Sequence, residues 1–462
     1  NNIKDTGDNN MVVKCGSTLT LGKSGDTVAI ASGASTSGMG RSGTVDWQTT
    51  IKTSDFTAAN GEGYFVNTTS DEIEVTLPSS PSAGDIVSLK DYARTWGTNN
   101  CVVLRNGSNL DGSAENQTFS TDGLSITLIY MDDTKGWSLI NDDVTNILGP
   151  KFISATGGTI TNCGNFRIHT FTGPGTFTVC SAGNAAGSNT VDYLVVAGGG
   201  SSGGDAGGGG GGGGTRFSNG TASGSYCAGP SPLGASALPV SAQAYPITVG
   251  GGGPQPPSTG ATGSTPTNAG ANGNPSVFST ITSTAGGGGG GHGSGTVAQG
   301  NPGGSGGGAR SSGSCSQGGS GNTPPVSPPQ GNDGGTGNPQ PNQGGGGSGG
   351  GGAAGGGSPN QIAPGPGTRD NGGPGGTGIT SSITGSPVGY GGGGGGGAGG
   401  IPGGIGGSAG QGGGAGAPGS TPGTGSGTSG TANTGGGGGG GYDNVRGEGG
   451  GSGIVIIRYK FQ

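Results

Sequence analysis

The sequence predicts an all-β chain: small β-domains, then a β base that carries a polyglycine II helix sandwich. Three observations carry that prediction. Residues 198–453 are built mostly from glycine, in blocks such as Gly207–Gly214, Gly286–Gly291, Gly344–Gly347, Gly391–Gly397 and Gly435–Gly441. Strong strand signals close this tract on both sides, Val191–Ala197 before it and Ile454–Tyr459 after it. The region 44–148 shows short alternating runs and turns and no convincing amphipathic helix.

The glycine tract has too few apolar side chains for an ordinary core. From Gly286 to Gly453, 168 positions hold 11 residues of the Val/Ile/Leu/Met/Phe/Trp/Tyr set. Ordering such a segment therefore has to rest on main-chain hydrogen bonds. Glycine suits this, because without a Cβ extended left-handed helices can approach side by side. A lone helix of this type has no internal hydrogen bonds, but a bundle can pair N–H and C=O groups laterally. The blocks read Gly-Gly-Gly without a strict Gly-X-Y period, which argues against collagen. Glycine blocks that recur between turn-rich inserts, closed by strands, argue against a loose Gly/Ser linker.

Residues 1–43 read as a β shaft segment. Leu19 and Leu21, then Val28 and Ile30, alternate with polar residues and Gly/Asp turns. That apolar face has few partners within the chain, so packing about an axis with copies of itself, as a homotrimer, is expected. In 44–148 strands are expected at Gly63–Asn67, Glu72–Leu77, Asp85–Lys90, Asn100–Arg105, Ser125–Tyr130 and Trp137–Ile140, separated by Gly, Pro, Asn and Asp turns. The remainder, 149–462, is the glycine-rich domain. Its base is assigned to 151–197, 245–249, 277–283 and 454–461. Phe166–Val179, broken by Thr172-Gly-Pro-Gly, reads as a hairpin. Val191–Ala197 and Ile454–Tyr459 are largely apolar on both faces and are expected to pair, bringing the two ends of the tract to one sheet.

Composition narrows the function. The formal charge is −7 and charged residues make up 9%, so a nucleic-acid surface is not expected. No run of about 18 apolar residues is present, and membrane insertion is not expected. The opening Asn1-Asn2-Ile3-Lys4 carries neither Met nor a signal peptide, consistent with a fragment or a processed product. The six cysteines form no Cys-x-x-Cys pair and read mostly as free thiols. The two histidines, His169 and His292, lie far apart, which supports no Ser/His/Asp triad. Asp132-Asp133 and Asp142-Asp143 read as turn residues. No phosphate-cradling loop, metal motif or cofactor is expected, and the chain is not expected to be an enzyme.

Several runs carry a family resemblance. Ile168-His-Thr-Phe-Thr-Gly-Pro-Gly-Thr-Phe177, Val191-Asp-Tyr-Leu-Val-Val-Ala-Gly-Gly-Gly200 and Gly451-Ser-Gly-Ile-Val-Ile-Ile-Arg-Tyr459 together resemble the glycine-rich C-terminal domain of marine bacteriophage tail-fibre proteins. Pro-Ser-Ala-Gly-Asp-Ile-Val, Arg-Asn-Gly-Ser and Leu-Ile-Tyr-Met-Asp-Asp-Thr-Lys-Gly-Trp, within 65–141, are similar to the small β-domains that precede it, as is Leu-Gly-Lys-Ser-Gly-Asp-Thr-Val at 21–28 to segments found there. The resemblance implies a trimeric virion fibre. A looser similarity is to the distal adhesins of T-even-like phages, where loops on a polyglycine sandwich choose the host receptor. It implies a host cell-surface receptor, a glycan or an outer-membrane protein, and other virion tail proteins as partners. No binding residue transfers from either family.

From the residues themselves, recognition is expected in the inserts 309–343 and 358–390, with Arg310, Arg369, Asp370 and Tyr390 as the contacts. The tract has only four arginines, and both aromatics and Arg are enriched at binding hot spots. Phe217, Tyr226, Tyr390 and Tyr442 beside glycine blocks serve either as helix-end caps or as ligand contacts. The alternatives are a non-adhesive structural fibre or head decoration protein, or a glycan depolymerase; the five scattered acidic residues of the tract argue against the last.

Overall fold

The computed structural model describes residues 45–140 and 151–462, apart from 185–186, 225, 258–267, 294, 312–315, 339–344, 364–368, 401–402 and 422. It also describes the backbone of three early strands, Ile3–Lys4, Asn10–Cys15 and Thr18–Leu21. Those three form an antiparallel meander that places Leu19 and Leu21 in a strand, as the alternation predicts. Val28 and Ile30 lie outside the described residues. The protein is all-β, with a short 3-10 turn at Gly295–Ala298. Two compact units divide for the most part at Asn141/Asp142.

In the first unit all six expected strands form, at Glu62–Val66, Ile73–Thr76, Ile86–Asp91, Cys101–Leu104, Ser125–Asp132 and Gly136–Leu139. Their alternation buries Ile73 and Val75, then Val87 and Leu89, then Ile126 and Leu128. Sequence reading missed Asp46–Lys52, Phe56–Thr57 and Gln117–Phe119, and it missed direction. Asp46–Lys52, Glu62–Val66 and Ile86–Asp91 are parallel neighbours in one sheet, and Phe56–Thr57 and Ile73–Thr76 are parallel neighbours in another. From Asp46–Lys52 to Ile86–Asp91 the chain alternates between the two sheets strand by strand, so these neighbours run the same way, whereas Ser125–Asp132 joins Ile86–Asp91 and Gly136–Leu139 antiparallel. Period-two patterning reports which face is buried and nothing about direction.

The second unit begins with the β base. A six-stranded sheet contains, in order, Thr159–Cys163, Phe166–Phe171, Ile454–Lys460, Thr190–Val196 and Thr215–Phe217, with Leu238–Pro239 added to Thr190–Val196. The expected pairing of the tract's two ends is present and antiparallel, from Asp192 opposite Arg458 to Val196 opposite Ile454. A second sheet runs Ser154–Thr156, Gly175–Ser181, Ala244–Thr248, Ser276–Phe278 and Ile281–Ser283. One core lies between the sheets: Phe177, Tyr245, Phe278, Val195, Val455, Ile457 and Tyr459. The opposite face of the first sheet buries Leu194, Val196, Ile454 and Ile456 against Phe217, Ile379, Ile383 and Tyr390. Both faces of Ile454–Ile457 are thus covered, which is why this part of the strand is apolar throughout.

The hairpin expected at Thr172–Gly175 is not a paired one. Phe166–Phe171 lies in the first sheet and Gly175–Ser181 in the second. Phe171 and Phe177 both enter the inter-sheet core, so the turn carries the chain across layers. Gly157–Gly158 makes the companion crossing with φ of 110° and 63°, and a Cβ on Gly157 would lie 2.0 Å from Thr176 O.

The glycine blocks stand on this base. In Gly207–Gly214 successive N–H groups turn to different neighbours and return every third residue. Gly208, Gly211 and Gly214 donate to Gly290, Gly287 and Thr284; Gly209 and Gly212 donate to Ser348 and Gly351; Gly210 and Gly213 donate to Gly438 and Gly435, at 2.7–2.9 Å. The block also accepts from Gly200 and Gly203, from Ser305 and Gly308, and from Gly394 and Gly397. Three residues per turn with lateral hydrogen bonds is the geometry of packed polyglycine II. The central helix therefore has six neighbours: 198–205, 284–291, 303–310, 346–353, 391–398 and 435–442.

Those six are bonded to one another around the centre. Gly286 donates to Gly198, Gly287 to Ser305, Ser348 to Ala309, Gly347 to Gly397, Gly437 to Gly392 and Gly438 to Gly200. Further helices cover them on the outside, among them 268–274, 331–337, 355–360, 372–378, 404–411 and 445–451. The array is a concentric hexagonal bundle of polyglycine II helices, one helix ringed by six. In the central helix a Cβ on Gly208, Gly209, Gly210 or Gly213 would lie 2.0–2.1 Å from a carbonyl oxygen of a neighbour. Close approach, more than turn geometry, is what demands glycine here.

Candidate functional site

The lattice decides where side chains can stand. In helix 372–378, Gly373 and Gly376 donate inward to Gly347 and Gly350, and Gly372 and Gly375 donate sideways to Ile405 and Ser408. The third register, Asn371, Pro374 and Thr377, is half-buried or exposed and carries the side chains. The same rule places Ile405, Ser408 and Gln411 on the next outer helix and Asp333 and Thr336 on 331–337. A Gly-Gly-X pattern is visible in Asn371-Gly-Gly-Pro-Gly-Gly-Thr377 and Ile405-Gly-Gly-Ser408. That was the signal available in the sequence, hidden because the period is local to the outer helices.

On this outer face lies an open groove of about 640 Å3, lined by Gly356, Ser358, Pro374–Thr377 and Ser408–Gln411. Helix 372–378 forms its floor. No charged side chain lines it. The Gln411 Oε1 accepts from Gly378 N at 2.7 Å, which holds the amide over the groove.

The four expected contact residues are dispersed. Arg310 is 8% exposed, with Nε donating to Asp205 O at 2.8 Å, and burial pulls its pKa below the ordinary value. Asp370 is fully buried in strand Arg369–Asn371; among the described residues neither carboxylate oxygen has a hydrogen-bond partner, and burial raises its pKa. Tyr390, 2% exposed, belongs to the core beneath the base sheet, and burial pushes its pKa up to about 12. The backbone of Arg369 lies in the same strand as Asp370; its side chain is outside the described residues. Buried groups of this kind hold the bundle together and cannot touch a second molecule, so Arg310, Asp370 and Tyr390 are corrected from contacts to packing residues. Sequence reading failed on them because Arg and Tyr beside glycine serve surfaces and helix ends alike. Phe217 and Tyr442 are likewise buried caps, with Tyr442 OH donating to Gly400 O at 3.0 Å.

Besides these outward registers, the inserts expose turns. Pro324, Pro325, Ser327 and Pro329 are exposed in the first, held beneath by Gln330, whose amide donates to Pro324 O and Thr284 Oγ1. Residues 385–388 are exposed in the second. Residues 312–315, 339–343 and 364–368 of the inserts lie outside the described residues.

Two polar clusters complete the second unit. Asp205 and Asp443 meet at one end of the bundle beside Arg310 and His292. The Asp443 pKa is raised, first by burial and then by Asp205, and His292 Nδ1 lies 3.6 Å from Asp205 Oδ2. In the base, Asp192 accepts from Ser218 Oγ at 2.7 Å and from Ser223 N at 2.8 Å, while the Arg458 guanidinium stacks between the Phe166 and Tyr226 rings. Among the described residues no group of three or more His, Cys, Asp or Glu is placed to hold a metal ion. Also among them, no helix is long and apolar enough to cross a membrane. Cys101, Cys163, Cys180 and Cys227 are not joined in disulfides.

A β base whose two-faced sheet launches and recovers a saturated main-chain lattice defines a class of scaffold. Its backbone is spent on internal bonding, and its side chains are confined to outward registers and turns. Residues 171–460 match the family model described as a glycine-rich domain, and the chain belongs to that family. No curated protein matches the chain.

Proposed function

We propose that this chain is a bacteriophage tail fibre and receptor-binding adhesin, which attaches a virion to the host cell surface through side chains displayed on a rigid polyglycine bundle. The observation that supports it most is the saturated hexagonal lattice. A scaffold fixed by main-chain bonds loses little conformational entropy when its surface binds, and it tolerates change at turns and outward positions. The resemblance of residues 168–177, 191–200 and 451–459 to marine phage fibres supplies the biological setting. The early strands and the first unit would build a homotrimeric stalk, with other virion tail proteins as partners.

The test is adsorption of purified, fluorescently labelled chain to a panel of marine bacteria. The exposed turns 323–329 and 384–388 would be replaced by Gly/Ser in parallel. Adsorption to some strains, lost on replacement with the melting temperature unchanged, is the expected result. A chain that adsorbs to none of the panel, yet is found in purified particles, would favour the non-adhesive structural fibre.

A further inference from the structure

We infer that the lateral groove over helix 372–378 is a binding site for an uncharged glycan chain, so that contact runs along the side of the bundle as well as at its turns. The inference rests on the adhesin reading and names its ligand class. Ser358, Thr377 and Ser408 bring three hydroxyls to the groove, and among the described residues none of the three hydroxyls has a hydrogen-bond partner. Gln411 spends its Oε1 on Gly378 N and keeps its amide N–H groups for a ligand. Pro374 and Ala409 add small apolar surfaces between these polar groups.

This donor set matches a polymer of hydroxyls and C–H faces. It offers no cation to a phosphate, sulfate or carboxylate, and no cleft for a large apolar side chain. The geometry also suits a chain ligand. Outward positions recur every third residue, about 9 Å apart along each helix axis at about 3.1 Å per residue. The groove runs open between two outer helices, and its floor cannot move without breaking the bonds from Gly373 and Gly376 to the inner ring. Without an aromatic platform one groove binds weakly. Several copies on one fibre raise the apparent affinity through effective concentration, by about 100-fold or more.

The experiment immobilises the full chain and measures binding of dextran, mannan and galactan, with hyaluronan as the anionic comparator. The variant is Ser358→Ala/Thr377→Val/Ser408→Ala, whose sites are exposed or half-buried, so its melting temperature should match the parent. At least one neutral polymer should bind the parent more tightly than hyaluronan does, and the variant should lose that binding by about tenfold. The inference is overturned if no neutral polymer outperforms hyaluronan, or if the variant binds undiminished. Cell adsorption measured alongside separates the two readings. A chain that adsorbs to cells but holds no neutral polymer removes the groove alone. One that holds the polymer but adsorbs to no cell removes the adhesin reading alone.

Discussion

Substituting one glycine at the centre of the bundle should cost more stability than most core mutations. In Gly210→Ala the new Cβ would sit 2.0 Å from Gly200 O, 2.7 Å from Gly200 C and 3.0 Å from Gly438 N. All three atoms are backbone, so no side chain can swing away. Restoring ordinary contact needs a shift of more than an ångström between helix 207–214 and its neighbours at 198–205 and 435–442. The bonds from Gly200 N to Gly211 O, from Gly210 N to Gly438 O and from Gly438 N to Gly200 O, 2.8–3.0 Å long, cross that gap. Losing two of them leaves four buried groups unpaired at about 1–3 kcal/mol each, hence about 4–12 kcal/mol in all. Gly251→Ala is the control. Gly251 is exposed, its added Cβ would meet nothing nearer than Asn274 Nδ2 at 3.8 Å, and its φ is not positive. Stiffening the unfolded chain there should stabilise by about 0.4–1 kcal/mol. Denaturant unfolding of both variants reads the difference, with opposite signs. Equal midpoints for Gly210→Ala and the parent, or a comparable loss in Gly251→Ala, would refute close approach as the reason for glycine.

Three further outcomes follow from the base and its buried groups. Ile456→Ala, at a fully buried position of the strand that closes the tract, should destabilise by about 2–5 kcal/mol in the same unfolding assay, and deleting residues 454–462 should abolish the cooperative transition of the glycine-rich domain. His169 is buried with Nδ1 2.7 Å from Gly157 O and Nε2 3.0 Å from the Tyr459 hydroxyl, and burial lowers its pKa. Below about pH 6.5 the unfolded state takes up a proton that the native ring refuses, so stability should fall as pH drops from there toward the folded pKa; His169→Gln should flatten that part of the melting-temperature profile. The folded pKa of Asp370 is raised, so its ionised form is penalised at neutral pH, and the loss sets in as pH rises through the ordinary carboxylate range; Asp370→Asn should gain about 1 kcal/mol at pH 7 and remove that dependence, as read by chemical denaturation at pH 3.5 and 7.

The sequence by itself determined the all-β class, six of the strands between residues 45 and 140, and the pairing of Val191–Val196 with Ile454–Tyr459. Each rests on local chemistry. Period-two burial marks half-covered strands, two-faced apolar runs mark covered ones, and glycine without apolar side chains leaves main-chain bonding as the available source of order. Only the tertiary structure decided the parallel strands of the first unit, the crossing of Thr172–Gly175 between sheets, and the hexagonal arrangement of the glycine helices. Strand direction and layer exchange depend on where the chain travels between elements, which a local pattern does not record. The same limit governed the site. Arg310 and Tyr390 stand out in a glycine background, but a helix with six neighbours buries what lies at its ends, and one with an open side exposes every third residue. Whether a side chain in such a tract faces solvent is set by the number of helices around it, and that number exists only once the bundle has assembled.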